Sequence, residues 1–357
     1  METIFQGIKV LELSSVLAGP AVGQFFAELG AEVIKVENKL TNGDITRRWK
    51  LPSEPVDAAE SAYYCSVNWG KKVYFLDLRQ VPDREQVYGW ISEVDVVISN
   101  YKLASAKKMG LDYDTLKAKN PKLIYAQLTA FGSASSRTAF DVVLQAEAGF
   151  LYMSGEPNRP PVKMPVALID LLAAHQLKEG ILLALIKRMQ TGKGSYVTTS
   201  LLASALSSLA NQATNWLMGG HIPQPLGSQH PNIAPYGDIF YTSDQKPLVL
   251  AVGTEKQFVA LCRCLYLDQL LEDIRFNQNV QRVRNREALN VIIQEAIKKE
   301  DRDALMEKFH ENGVPAGSIR NMEEVFQVPQ AQAMILTASL TDGRISKCVK
   351  TVAFEIL

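Results

Sequence analysis

Apolar and polar positions along the first 130 residues follow two alternating rhythms. Short β-branched runs, IKVLEL, EVIKVE, VYFLDL, VDVVIS and LIYAQLTAF, are separated by stretches with helical spacing such as AVGQFFAELG and DREQVYGWISE. That alternation predicts βαβ units, hence right-handed crossovers and a parallel sheet covered by helices. In such a sheet, ligands lie beyond the carboxyl ends of the strands. The loop SSVLAGP, 14 to 20, is one such strand end. There Pro20 suits the first turn of a helix, and Gly19 would let the backbone approach a ligand, so the turn is expected to present amides to an anion.

Further along, DLLAAHQLKEGILLALIKRMQ, 170 to 190, has helical spacing and stops at TGKG, whose glycines suit a C-terminal cap. A second long helix is expected from SYVTTSLLASALSSLANQATNWLMGG, 195 to 220, which opens on a β-rich stretch. The Pro- and Gly-rich HIPQPLGSQHPNIAPYGD marks a boundary. After it, strands near DIFYTSD and KPLVLAV and helices around EKQFVALCRCLY and REALNVIIQEAIKKE suggest a second unit. The expected fold is α/β: a Rossmann-like parallel-sheet large domain over 1–220, a smaller α/β domain over 225–318, and a tail over 319–357 that returns to the large domain.

Composition narrows the function classes. With 38 basic and 38 acidic residues mixed along 357 positions, there is no basic field for nucleic acid and no polybasic tail for a membrane. The longest wholly apolar run, ILLALI at 181–186, is too short to cross a bilayer. Four cysteines without a CxxC pair or a companion His argue against structural zinc and for reduced thiols, so no metal site and a cytoplasmic location are expected.

The residue that invites chemistry is Asp170, a lone acid among apolar side chains in PVKMPVALIDLLAAHQ. An Asp beginning a helix is commonly an N-cap, and the donors and positive helix end would keep its carboxylate charged. A charged, partly desolvated carboxylate is a potential nucleophile toward an activated acyl group.

Several stretches then carry a resemblance. They are LAGP at 17–20; LGAEVIKVE at 29–37 followed by Gly43, Asp44 and Arg47; and NWGKK at 68–72 leading to LDL. The series continues with Asn100 and Tyr101 before KKMGL, FDVVLQAEAGFLYMSG from 140, Asp170, TGKG, and GVPAGSI at 313–319. In this order, over nearly the whole chain, they resemble the family III CoA-transferases, the CaiB/BaiF group typified by formyl-CoA transferase.

The resemblance implies that Asp170 is the catalytic aspartate. Its carboxylate would attack an acyl-CoA thioester to give a mixed anhydride and CoA thiolate. The thiolate would then form an aspartyl-CoA thioester, and an acceptor acid would reverse the sequence. Acyl-CoA and a small carboxylic acid would be the partners, with coenzyme A as substrate and no tightly bound cofactor.

The resemblance also implies a CoA site. Leu17, Ala18, Asn100, Tyr101 and Phe140 match channel positions, with Lys102 and Asp141 beside them. Lys71 and Lys72 match a basic pair near the nucleotide. Lys108 stands at a phosphate-binding arginine, and Asn38 where some members carry Arg. Trp49, Tyr63 and Tyr64 are aromatics that would wall an acyl pocket, and glycines near 219, 220 and 227 are candidates to hold an oxyanion. In the family each chain is threaded through its partner, which implies an interlocked homodimer.

Departures from the family keep alternatives open. Ala174 stands where a glycine is usual, and only Gly219 and Gly220 adjoin where some members have a longer glycine run. The alternatives are an acyl-CoA racemase, which would need a His where Phe140 stands, and a CoA-binding protein without turnover. A dinucleotide-dependent oxidoreductase lacks its GxGxxG fingerprint in AGPAVGQ.

Overall fold

In the computed structural model, which describes residues 3–340 and 342–356, the β-branched runs of the first half become strands of one sheet. Two compact units divide the chain. The larger takes the residues up to Phe150, Lys163–His221 and everything from Ala333 onward; the smaller takes Leu151–Val162 and Ile222–Gln332.

The larger unit is built on β1 (Lys9–Leu13), β2 (Glu32–Asn38), β3 (Lys72–Leu76), β4 (Val96–Ser99), β5 (Ile124–Thr129) and β6 (Ser195–Ser200). All pair in parallel, in the order β3-β2-β1-β4-β5-β6. Successive side chains of a strand face opposite sides, which divides the core in two. On one face Val10 packs with Val22 and Phe26 of the helix Ala18–Glu28 and with Ile169 and Leu177 of the helix Leu168–Thr191. On the other, Leu11 and Leu13 pack with Val87 and Ile91 of the helix Val81–Ile91.

The long helix ends on Gly192, whose φ of 68° supplies the left-handed cap that TGKG suggested. The stretch 195–220 is not one helix. It is β6 followed by two helices, Leu201–Ser207 and Ala210–Gly219. Its β-rich opening is claimed by pairing with β5, and the hydroxyls of Ser207 and Ser208 both bond back to the Ser204 carbonyl, competing with the helical ladder where it breaks.

The smaller unit holds an antiparallel sheet of β7 (Tyr236–Tyr241), β8 (Pro247–Ala251) and β9 (Ala316–Ser318), in the order β7-β8-β9. Phe240, Leu248, Phe258, Ile293 and Phe309 form its core. The chain then returns to the larger unit as a hairpin of β10 (Ile335–Ser339) and β11 (Ile345–Val349). It is tied down by Trp69 Nε1 donating to the Thr337 carbonyl at 2.9 Å and by the Thr351 and Val352 amides donating to Glu28. No helix among the described residues is long and apolar enough to cross a membrane.

A charged cluster lies inside this core. Glu12 and Lys35 are directly paired residues of β1 and β2, both without solvent exposure, with Lys35 Nζ 2.7 Å from Glu12 Oε1. Lys35 also reaches the Ser14 carbonyl at 3.1 Å and Asp44 at 3.3 Å. Lys71 Nζ is 2.8 Å from Glu12 Oε2, while its directed hydrogen bonds go to the carbonyls of Pro20 and Val67 and to Asn68 Oδ1. Gly23 makes the room, because a Cβ there would overlap the Glu12 carboxylate.

Burial would raise the Glu12 carboxyl, but Lys35 and Lys71 outweigh it and hold the group below its ordinary value. Burial likewise works against the Lys35 ammonium, which Glu12 and Asp44 nevertheless hold above its usual value. Lys71, with less compensation, is pulled down by burial to about 7. Removing one member of a buried ion pair leaves the others uncompensated. Glu12→Gln should therefore lower the free energy of unfolding by about 3–5 kcal/mol in a urea titration, whereas Lys72→Ala, which breaks the exposed pair with Glu32, should leave the urea midpoint almost unchanged.

Candidate active site

The strand order reverses between β1 and β4, and in sheets of this kind the crevice opens at that point, outside the carboxyl ends. A cavity of about 780 Å³ is found there. It is lined by Ser15 to Ala18 after β1, Asn100 to Ala104 after β4, Leu128 to Ala130 at the end of β5, the 133–140 loop, and Asp170.

Asp170 is 8% exposed and occupies the third position of the helix Leu168–Thr191, so it is not the N-cap expected from its place in the sequence. Position N-cap is taken by Ala167, which has no capping side chain. The cap comes from 29 residues upstream: Asp141 Oδ1 accepts the Ile169 amide at 2.6 Å and the Asp170 amide at 3.2 Å. The other Asp141 oxygen is bonded by Gln145, whose carbonyl in turn accepts the Met164 amide at 2.9 Å.

The electrostatic consequence reverses the expectation that Asp170 is kept ionised by its helix. The amides of Ile169 and Asp170 are already occupied, and among the described residues no hydrogen bond stabilises the Asp170 carboxylate. Burial pushes its carboxyl up to about 7, and the neighbouring charge of Asp141 adds to the shift. Tyr63 feels the same charges: burial first, then Asp170 and Asp141, hold its phenol above the usual value. Trp49 meets Tyr63 edge-on at 5.0 Å and Phe140 at 6.1 Å, so these rings form one aromatic group next to the acid. Tyr64 is elsewhere, its hydroxyl 2.6 Å from Glu37 and bonded by Arg47.

Of the residues matched to a CoA site, Leu17, Ala18, Asn100, Tyr101, Lys102 and Phe140 come together around the cavity with Asp170. Asn100 spends its amide on stitching two strand ends together, donating to the Ser15 carbonyl at 2.9 Å and accepting the Ser15 amide at 3.3 Å. Asn38, Lys71, Lys72, Lys108 and Asp141 lie outside the lining. Asn38 caps the short turn after β2 through the Leu40 amide, Lys71 is enclosed with Glu12, Lys72 pairs with Glu32 at the surface, and Lys108 is exposed on the helix Leu103–Met109. Gly19 serves packing, since a Cβ would fall on the Ser14 side chain. Gly219 and Gly220 end a helix, and the Gly227 amide is taken by the Gly155 carbonyl, so none of the three is in the lining.

Among the lining residues that the sequence reading did not single out by number, two bear on the site's chemistry. Arg137 stacks over Phe131 at 3.9 Å and pairs with Glu147, adding a guanidinium to a cavity lining that also holds Lys102. It is the only basic residue of a small, polar loop following β5, and the strand-end rule that singled out 14–20 applies equally to that loop. The second is Val16, a β-branched residue held at φ 74°, a conformation that costs about 1–3 kcal/mol and persists only where its surroundings enforce it.

With this geometry in view, the comparisons with known proteins are specific. The sequence model described as CoA-transferase family III matches residues 5–356. The chain is similar to a succinate–glutarate CoA-transferase of Agrobacterium fabrum, 39% identical over 97% of this chain and 88% of that protein. It is also similar to the human succinyl-CoA:glutarate CoA-transferase, 34% identical over 91% and 74% of the two chains. An acetyl-CoA:oxalate CoA-transferase of Acetobacter aceti is 32% identical over 92% and 84%. Among solved structures, a CaiB/BaiF family protein from Brucella suis superposes with a TM-score of 0.87 at 38% identity, covering 99% of this chain and 93% of that one.

Because the native fold disfavours ionised Asp170, that penalty is complete above pH 7 and absent below the unfolded value near 4. Asp170→Asn should therefore stabilise the protein by on the order of 2–4 kcal/mol at pH 8 and by less than about half of that at pH 5, read from urea unfolding at both pH values. Asp141→Ala, which strips the long helix of its cap, should instead cost about 1–2 kcal/mol.

Proposed function

The chain belongs to CoA-transferase family III and is a CoA-transferase, and from that premise we propose that Asp170 is its nucleophile and carries CoA as an aspartyl thioester. The observation that supports the reading is a buried carboxylate, without a donor of its own, in the lining of a cavity large enough for a thioester arm. Its carboxylate attacks the thioester carbonyl, the C–S bond breaks, and CoA thiolate leaves a mixed anhydride behind. The thiolate attacks the Asp170 carbonyl carbon and releases the donor acid. The acceptor carboxylate attacks the aspartyl thioester, and the freed thiolate takes the acceptor acyl group, restoring Asp170. Each step exchanges one activated acyl bond for another, so neither metal nor nucleotide is consumed.

Leu17, Ala18, Tyr101 and Phe140 form the walls along which the pantetheine arm lies, while Lys102 and Arg137 are the cations placed to meet its phosphates. Lys71 holds the β1 end through Glu12 and Pro20 in this reading rather than meeting the nucleotide. The substrates are small dicarboxylic acids and their CoA thioesters, the chemistry that the names of the relatives share.

Leu183, Ile186 and Met189 on the long helix, and Trp216, Leu217 and Met218 near residue 219, are more than half exposed. That apolar surface supports a homodimer, interlocked as in the family. Free thiols at all four cysteines suit the reducing cytoplasm.

Incubation with succinyl-CoA followed by hydroxylamine should leave a hydroxamate on the peptide containing Asp170, found by mass spectrometry. Asp170→Ala should give no adduct and no turnover while still binding CoA; an adduct elsewhere would overturn the assignment. The attacking species is the carboxylate, so kcat/KM should fall about tenfold per pH unit below an apparent pKa near 7 rather than near 4. In a panel of acceptors, glutarate, succinate and oxalate should exceed monocarboxylates of equal length by about tenfold or more in kcat/KM.

A further inference from the structure

Three consecutive residues at the entrance from β1 to the cavity are each clamped from the core. Lys35 Nζ holds the Ser14 carbonyl at 3.1 Å, Asn100 holds both polar backbone atoms of Ser15, and the Val16 amide donates to the two oxygens of Asp44 at 3.1 and 3.4 Å. Asp44 is itself 4% exposed and fixed from several sides. Its carboxylate receives the Lys35 ammonium at 3.3 Å and the Thr46 amide and hydroxyl at 3.1 and 2.9 Å, and its own amide donates to Glu37 at 2.9 Å. Glu37 is anchored by Arg47.

The clamp enforces an unfavourable backbone. Val16 has φ of 74°, where a β-branched residue rarely stays, and the helix Ala18–Glu28 that it leads into has Leu17 at its N-cap, with no capping side chain. The first helical amides are thus unclaimed by any side chain, while Ser15, Val16, Leu17 and Ala18 line the cavity. A relaxed Val16 would turn the following residues away, because the left-handed and extended conformations at one position send the chain in different directions.

We propose that Asp44, which touches no substrate, is a positioning residue for acyl-CoA: it holds Val16 in the left-handed conformation so that the 15–18 turn keeps its backbone directed into the cavity. The inference rests on the reading that this cavity takes acyl-CoA. Asp44 acts on binding rather than on the reacting carbonyl, so its loss falls on KM.

Asp44→Asn keeps the size and one acceptor but loses the charge that ties Lys35, Thr46 and Val16 together. It should raise KM for succinyl-CoA and the calorimetric Kd for free CoA by about tenfold or more while kcat stays within about threefold. Amide exchange over residues 14–20 should accelerate in the free protein, a readout that needs no ligand. Glycine adopts positive φ without a clamp, so adding Val16→Gly to Asp44→Asn should bring KM back to within about threefold of wild type. Val16→Pro, whose ring fixes a negative φ and removes the amide while leaving the buried charges intact, should reproduce the loss even if Asp44→Asn does not fold.

Wild-type Kd and KM in a folded Asp44→Asn or Val16→Pro variant, or a double variant no better than Asp44→Asn, would overturn the proposal. A wild-type protein that binds no CoA would instead sink the reading of the cavity and leave the exchange result to judge the clamp alone.

Discussion

The site depends on one carboxylate being spent so that another is not. Asp141 fills the positive end of the helix Leu168–Thr191 by accepting the amides of Ile169 and Asp170. Had those amides been free, the fold would have held Asp170 firmly ionised and weakly basic. With them taken, Asp170 has burial and a like charge for neighbours, and its proton affinity rises to near neutrality. A more basic carboxylate is a better nucleophile, at the cost of a smaller ionised fraction, and the two effects balance near the working pH. In the proposed cycle, acylation would turn the buried anion into a neutral mixed anhydride and then a thioester, so the environment that penalises the charge would favour the covalent intermediates over the free carboxylate.

That arrangement needs the strand ends to stay in register, and the core supplies it through charge rather than hydrocarbon alone. Glu12, Lys35, Lys71 and Asp44 are sealed between β1, β2 and the helix Ala18–Glu28, where each ion is expensive without its partners. Their hydrogen bonds end on backbone atoms of residues 14, 16 and 20, the turn that leaves β1. On the other side of the reversal in strand order, Asn100 ties the same turn to β4. A hydrocarbon core would supply comparable burial but no directed contact to these carbonyls and amides.

The parallel sheet was legible because its evidence is local: each β-branched run predicts a strand regardless of what pairs with it. The cleft location followed from strand order and connection alone. What escaped depends on partners distant in sequence. Asp170 looked like a helix cap because an acid at a helix start usually caps, and nothing near it announces that a residue 29 positions earlier does so instead. Lys71 and Lys72 in NWGKK matched a basic pair near a nucleotide, yet Lys71 is enclosed with Glu12 and, of the two, Lys72 alone reaches solvent. Glu12 and Lys35 are the partial exception: once LEL and IKV are taken as adjacent parallel strands, the register that pairs them places opposite charges side by side. Ala174, a departure from the family's usual glycine, is 2% exposed and packs within the core of the helix, a position that accommodates a methyl group.

The seven buried acids of the described residues provide a selection that uses no relative at all. Glu12 faces two lysines, Glu37 has Arg47 and Tyr64, and Asp44 has Lys35 and Thr46. Asp77 has Arg79, Asp238 has Arg286 and Asn290, and Asp141 has two amides and Gln145. Six of the seven thus have a partner that repays desolvation, as buried charges must in a stable fold. Asp170 alone has none, and it alone of the seven lines the cavity. An unpaired carboxylate costs stability wherever it is placed, so leaving one in a cavity wall while pairing every other buried acid of the described residues is the pattern expected of the nucleophile proposed above.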